Sequence, residues 1–205
     1  MTEHALIQTL RRNLADRPAP ESGGDAAVLI PIVTGPGEPE VLLTRRPAHM
    51  KSHAGEVAFP GGKRDADDLH LTATALRESE EEVGLGREHV EIIGAIKPAR
   101  AKSGIRVVPI VGLVRELPPL SPNPHEVESV FRVPLRYFLE NTPARDYRIT
   151  WRGLDLVVPC FRYDGYVIWG LTGHMIVEFA RTGFGIELDY PWPPVLPGIL
   201  VPEAR

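Results

Sequence analysis

A single cysteine, Cys160, stands among 205 residues. One thiol cannot close an internal disulfide, so no covalent staple holds this chain. Its apolar neighbours mark it as a buried core thiol rather than a nucleophile. There is no apolar run long enough to span a membrane and no signal-peptide pattern, which makes the cytoplasm the expected location. Basic residues are outnumbered by acidic ones, 23 against 27, for a net charge of −4. Without a broad basic footprint, no nucleic-acid partner is expected. Internal repeats are also missing, and the length suits one domain around a single core.

What the chain does have is acid, concentrated in Arg77-Glu78-Ser79-Glu80-Glu81-Glu82-Val83-Gly84-Leu85. At ~100° per residue, Glu78, Glu81 and Glu82 fall at i, i+3 and i+4 on one helical face. Like charges so placed repel, and a divalent cation with a taste for oxygen ligands removes that cost. A solvated charged helix is the alternative reading of any Glu-rich run. Ala73, Leu76 and Val83 lie opposite the acids and are expected to face a core. Arg77, four residues before Glu81, is placed to orient its carboxylate. Glu80 points nearer the apolar side. Gly84 suits the helix end, and the Phe59-Pro60-Gly61-Gly62 turn brings backbone free of side chains to the metal or phosphates.

These residues resemble the Nudix box. Gly62 through Leu85 follows its pattern closely in the second half, with Ser79 in an apolar slot. One extra residue lies between Gly62 and Arg77, and Asp68 or Leu69 stands where the box has glutamate. Upstream, Leu42-Leu43-Thr44-Arg45-Arg46 through Phe59-Pro60-Gly61-Gly62 is similar to the signature of the coenzyme A pyrophosphatase branch. Pro47 replaces a small residue there, and Lys51 replaces an arginine, which keeps charge but loses the bidentate fork. The extra residue within the box recurs in that branch. Further matching segments include Val107–Gly112, Val133-Pro134-Leu135 and Ile168–Thr172, so the likeness covers roughly residues 26 to 180.

The resemblance implies a Nudix-type α/β/α sandwich with a mixed β-sheet. It implies hydrolysis of the diphosphate bond of coenzyme A or acyl-coenzyme A with Mg²⁺ or Mn²⁺, giving 3′,5′-ADP and 4′-phosphopantetheine or its acyl form. Glu78, Glu81 and Glu82 are the expected metal ligands, with the Gly62 carbonyl as a further one. Glu81, Glu82, Arg77 and Glu126 are the catalytic candidates. Glu126 occupies the branch's Glu-Val position as a distant general base; its other reading is an exposed strand-edge glutamate. Arg46 and Lys51, with Gly61 and Gly62, are the substrate-binding candidates, because a separate 3′-phosphate calls for extra positive charge. His53 reads as a structural hydrogen-bonding residue, and Arg100 and Lys102 as surface charge. The alternative substrate is ADP-ribose or another nucleoside-diphosphate derivative. The alternative class is a nucleotide-sensing module, which the retained box acids argue against.

A coarse pass gives helix over 3–14, linker to Asp25, and strands over 26–33 and 40–45. Strands are expected at 90–96 and 105–114, a proline-rich loop at 118–125 and extended chain over 126–133. A short helix over 134–140 follows. A hairpin of 147–151 with 154–163 around Gly153, and a closing helix over 171–181, complete the domain. The expected divisions are residues 1–25, 26–183 and a proline-rich tail, 184–205. The apolar tail makes a homodimer plausible.

Overall fold

The computed structural model describes residues 2–20, 23–50, 52–101, 103–151 and 154–189. Helix α1 (Glu3–Leu14) opens the chain, capped by the Thr2 hydroxyl, which accepts the Ala5 N–H. Leu6, Leu10 and Leu14 form its buried stripe. Strands β1 (Ala26–Val33) and β2 (Glu40–Arg45) follow as an antiparallel pair. Two short strands, β3 (Val57–Ala58) and β4 (Gly61–Lys63), flank the glycine turn, and helix α2 (Leu71–Val83) carries the acids. Then come β5 (Glu91–Ala95), β6 (Ala99–Arg100), β7 (Arg106–Val114), β8 (Ser129–Pro134) and the short α3 (Leu135–Glu140).

The main sheet runs β3-β2-β1-β7-β5, with β4 on β1, β6 on β7 and β8 on β2. Only β1 and β7 are parallel, in register from Ala26↔Val107 to Val33↔Val114; every other pairing is antiparallel. The sheet is therefore mixed. Its central strands read as near-continuous apolar runs because both faces are covered. One face, with Ala27, Leu29, Val108 and Ile110, packs under α2 through Leu71, Ala75 and Val83. The other, with Ile30, Ile32 and Val111, packs against α1 and α4 (Gly170–Phe184) through Leu10, Met175 and Ile176. Helices on both faces of a mixed sheet make the expected sandwich.

Two elements depart from expectation. The extended chain before β8 begins pairing only at Ser129, leaving Glu126 in a loop. The 154–163 segment is not one strand: β9 (Arg148–Trp151) pairs with β10 (Leu154–Val157), while β11 (Cys160–Tyr163) pairs with β12 (Tyr166–Trp169). Pro159 sits at the break and supplies no N–H to continue a ladder. Cys160 is buried in β11, and burial raises its thiol pKa. Among the described residues no helix is long and apolar enough to cross a membrane. Lys51, Lys102, Gly153 and the tail from residue 190 lie outside the described residues.

Candidate active site

The site is built where α2 crosses the end of β1 that pairs with β4. Gly61 and Gly62 lie opposite Val28 and Ala27. A Cβ on Gly61 would sit 2.5 Å from the Ala27 backbone carbonyl, and one on Gly62 2.5 Å from the Glu78 carboxyl, which would have to move aside. Gly61 also adopts φ +155°. The turn is thus pressed against the acid helix, and the Gly61 N–H donates to Glu82 Oε2 at 3.2 Å.

Helix α2 starts at His70, whose Nδ1 accepts the Ala73 N–H at 3.1 Å, and ends at Gly84 in the left-handed region with φ +73°. Its buried side is Leu71, Thr74, Ala75, Ser79, Glu82 and Val83. Val83 faces the core as expected, whereas Ala73 and Leu76 are only partly covered and Glu80 is exposed, not turned inward. Ser79, in the box's apolar slot, is wholly buried.

The three candidate acids differ sharply in surroundings. Glu81 is 58% exposed, Glu78 16% and Glu82 5%. Arg77 Nη1 donates to Glu78 Oε1 at 3.1 Å and to Glu81 Oε2 at 3.0 Å. Its other edge grips Asp68 by two parallel bonds, Nε to Oδ1 at 3.1 Å and Nη2 to Oδ2 at 2.9 Å, with the Lys63 carbonyl at 3.1 Å. Arg77 therefore ties the turn, the intervening loop and two acids together. Asp68 fills the position of the missing box glutamate; Leu69 is 85% exposed and contacts none of this. The Arg77 bond is the main reason the Asp68 carboxyl is held down at about 2.

Burial pushes Glu82 up to about 7, opposed by the Gly61 N–H and Arg46 and reinforced by the charges of Glu78 and Glu126. Burial also raises Glu78, against the pull of Arg77, with Glu81 and Glu126 adding repulsion. Glu126 thus bears on both acids although it lies over forty residues away in sequence. The proline-rich loop puts it there: Ser121 N–H donates to the Val83 carbonyl and Asn123 N–H to the Glu82 carbonyl, both at 2.9 Å. These bonds satisfy carbonyls at the helix end that would otherwise lack partners.

Arg46 Nη1 lies 3.8 Å from Glu82 Oε1, and its Nε is buried with no hydrogen-bond partner among the described residues. The Arg46 backbone is held by reciprocal bonds, its N–H to the Glu56 carbonyl and its carbonyl to the Gly55 N–H. His53 is at φ +57° and pairs with Glu56 at 2.9 Å, pointing its bond along the loop. Arg100 bonds the Gly104 carbonyl.

A model of the NUDIX domain matches residues 24–151. The chain belongs to the Nudix hydrolase family. Nudix hydrolases act on nucleoside-diphosphate-linked substrates and generally use divalent cations. The Nudix hydrolase NudL of Yersinia pestis (strain Pestoides F) is 45% identical over 156 residues, 76% of this chain and 78% of the relative. The NudL of Yersinia pseudotuberculosis serotype O:1b (strain IP 31758) matches equally. Among solved structures, a C. elegans Ap4A hydrolase binary complex aligns with TM-score 0.47 and 20% identity, over 54% of this chain and 80% of that one. The NUDIX domain of Shewanella oneidensis NrtR, complexed with ADP ribose, aligns at 0.42 and 19%, over 68% and 88%.

The Nudix donor set here is all oxygen, which suits a hard divalent cation. The missing Cβ at Gly62 keeps the space over Glu78 open. Among the described residues no three His, Cys, Asp or Glu side chains already converge as a cage, since Arg77 and Arg46 draw the carboxylates toward themselves.

Proposed function

We propose that this Nudix hydrolase cleaves the diphosphate of coenzyme A or its thioesters, giving 3′,5′-ADP and 4′-phosphopantetheine or its acyl form. The observation that supports the reading is Arg46, whose sequence context resembles the signature of the coenzyme A branch and whose guanidinium lies beside Glu82. Its side chain is 25% exposed, which leaves N–H donors open to a phosphate oxygen. Lys51 is the proposed second contact. The catalytic unit is residues 26–183.

Glu78, Glu81 and Glu82, with the Gly62 carbonyl, would hold Mg²⁺ or Mn²⁺. When bound, such an ion neutralises charge on the diphosphate and lowers the pKa of bound water. The chain's own residues do the rest. Gly61 and Gly62 let the diphosphate approach backbone without a side chain between. Arg77 positions Glu78 and Glu81, and Asp68 positions Arg77. Glu82, buried beside the glycine turn, and Glu126, held at the end of α2, are the groups placed to take a proton from attacking water. The retained acids favour catalysis over nucleotide sensing alone. A homodimer is compatible with this unit and is tested by the same preparation's sedimentation.

Product analysis by mass on coenzyme A, 3′-dephospho-coenzyme A and ADP-ribose, with Mg²⁺ or Mn²⁺, tests the reading. The expected result is 3′,5′-ADP and phosphopantetheine, with turnover falling sharply when the 3′-phosphate is removed. Preferred release of AMP from ADP-ribose would retain Nudix chemistry and discard the coenzyme A assignment. In Arg46→Ala, loss on coenzyme A should exceed loss on the dephospho form; equal losses would assign Arg46 to the diphosphate.

A further inference from the structure

Between the chain after α1 and the last turns of α4 lies a groove of about 640 Å³. Its walls come from four elements: the chain after α1 (Arg17, Pro18, Pro20), the end of β5 and the residues beyond it (Ala95, Ile96, Lys97, Pro98), the start of β7 (Arg106) and the last turns of α4 (Glu178, Arg181, Thr182). Each element contributes a cation. Of these, Arg181 is spoken for, since it bonds Glu178 at 3.3 Å and Glu187 at 3.0 Å. Glu178 is buried and also accepts the Thr182 hydroxyl.

Arg17, Lys97 and Arg106 have no carboxylate partner among the described residues. Elsewhere Arg11 pairs with Glu91, Arg132 with Glu40 and Arg136 with Glu38. Asp25 accepts the backbone N–H of Arg106 at 2.7 Å. The Arg106 Nη1 instead lies against Gly23, 3.3 Å from where a Cβ would stand. The buried His174 is held at about 4, first by burial and then by the positive charges of Arg181 and Lys97.

Three cations without a carboxylate partner among the described residues come from separate elements to line one groove, in a chain whose net charge is −4. Against these cations the described lining sets one carboxylate, Glu178, and a concave site with such an excess of one charge concentrates counter-ions of the other. The walls are stiff: three prolines restrict the backbone, and the Arg17 carbonyl is fastened to the Ala95 N–H at 2.8 Å. The floor of Ala95 and Ile96 is buried and apolar. A volume of this size falls within the ~300–1,000 Å³ of small-molecule sites.

We infer that this groove binds a small phosphate-bearing anion of up to nucleotide size, with Arg17, Lys97 and Arg106 on the phosphate and the proline walls and apolar floor against the remainder. No residue of α2, of the Gly61-Gly62 turn or of the Arg46 and Glu126 loops lines it, so it stands whether or not the coenzyme A reading does.

Calorimetric titration of the full chain in EDTA, with inorganic pyrophosphate and with AMP, tests this. Omitting divalent ions keeps the α2 acids from recruiting phosphate. The wild type and Glu82→Gln should bind at least one probe saturably, more weakly as salt rises. Lys97→Gln/Arg106→Gln should bind about tenfold or more weaker while keeping its circular dichroism spectrum. Lys97→Gln alone, at an exposed position, repeats the test where the pair fails to fold. Pyrophosphate binding without AMP binding would support a phosphate site, and tighter AMP binding a nucleotide site. Absence of saturable binding by either probe would overturn the inference. So would binding that survives the groove substitutions but is lost in Arg46→Ala.

Discussion

Asp68 shows how one side chain can substitute for a motif position it does not match. Its two bonds to Arg77 replace what a glutamate would do with a longer arm. Because its pKa is lower in the folded chain than in the unfolded one, Asp68 binds fewer protons when folded. Its contribution to stability is complete above the ordinary carboxylate range and is lost as pH falls toward about 2. Asp68→Asn should cost about 2 kcal/mol near neutral pH and flatten the acid limb of the stability profile. Urea titrations from neutral pH downward measure both, and an unchanged acid limb would remove Asp68 from this role. Gly62 is a second case. A methyl group there meets the Glu78 carboxylate at 2.5 Å. Gly62→Ala should lower turnover on the order of 100-fold by displacing that acid, with the circular dichroism spectrum preserved. Wild-type turnover in this variant would show that the carboxylate's position is immaterial.

At the scale of elements, α2 is a scaffold held at both ends by contacts outside itself. Gly84 provides the left-handed turn and, in the same place, lets the Ser121 backbone approach: a Cβ would lie 2.9 Å from the Ser121 nitrogen. That approach brings the loop carrying Glu126 onto the helix end. Gly84→Ala should therefore destabilise the protein by about 1–2 kcal/mol through backbone strain and also depress activity by loosening that loop. A loss of stability with full activity at temperatures where the variant is folded would separate the cap from Glu126. The sequence made the helix, its acid face and its glycine stop legible from spacing and turn chemistry. It did not show that His70 would cap the start, since histidine has no strong capping preference and its Nδ1 finds the Ala73 N–H only through this backbone. The break at Pro159 was missed because apolar residues on both sides read as one continuous strand.

The whole molecule depends on a core shared by α1, α4 and one face of the sheet. Leu10 is fully buried within it, and Gly183 of α4 approaches so closely that a Cβ would stand 2.7 Å from Leu10 Cδ1. The N-terminal helix is part of the packed body and not merely the start of a linker. Leu10→Ala should cost about 2–5 kcal/mol, while leaving product identity unchanged in the folded fraction. Chemical denaturation compared with the product assay checks this; a negligible loss would mean that α1 is dispensable to the core.

By itself the sequence determined what depends on neighbours in the chain. The acids' common helix, the glycines that bracket it and the strands around Val28 and Leu43 follow from local periodicity and turn chemistry, and the likeness to the Nudix box from the motif residues themselves. Only the tertiary structure decided that Glu82 is buried while Glu81 stays in water, although they are adjacent. It likewise decided that Asp68 clasps Arg77, that Glu126 bears on the acid helix, and that Arg17, Lys97 and Arg106 line one groove. Burial and electrostatic environment are properties of where remote segments meet. They arise from the packing of β1 against β7, of the glycine turn against α2 and of the 118–125 loop on its end, and none of these distances is written in residue spacing.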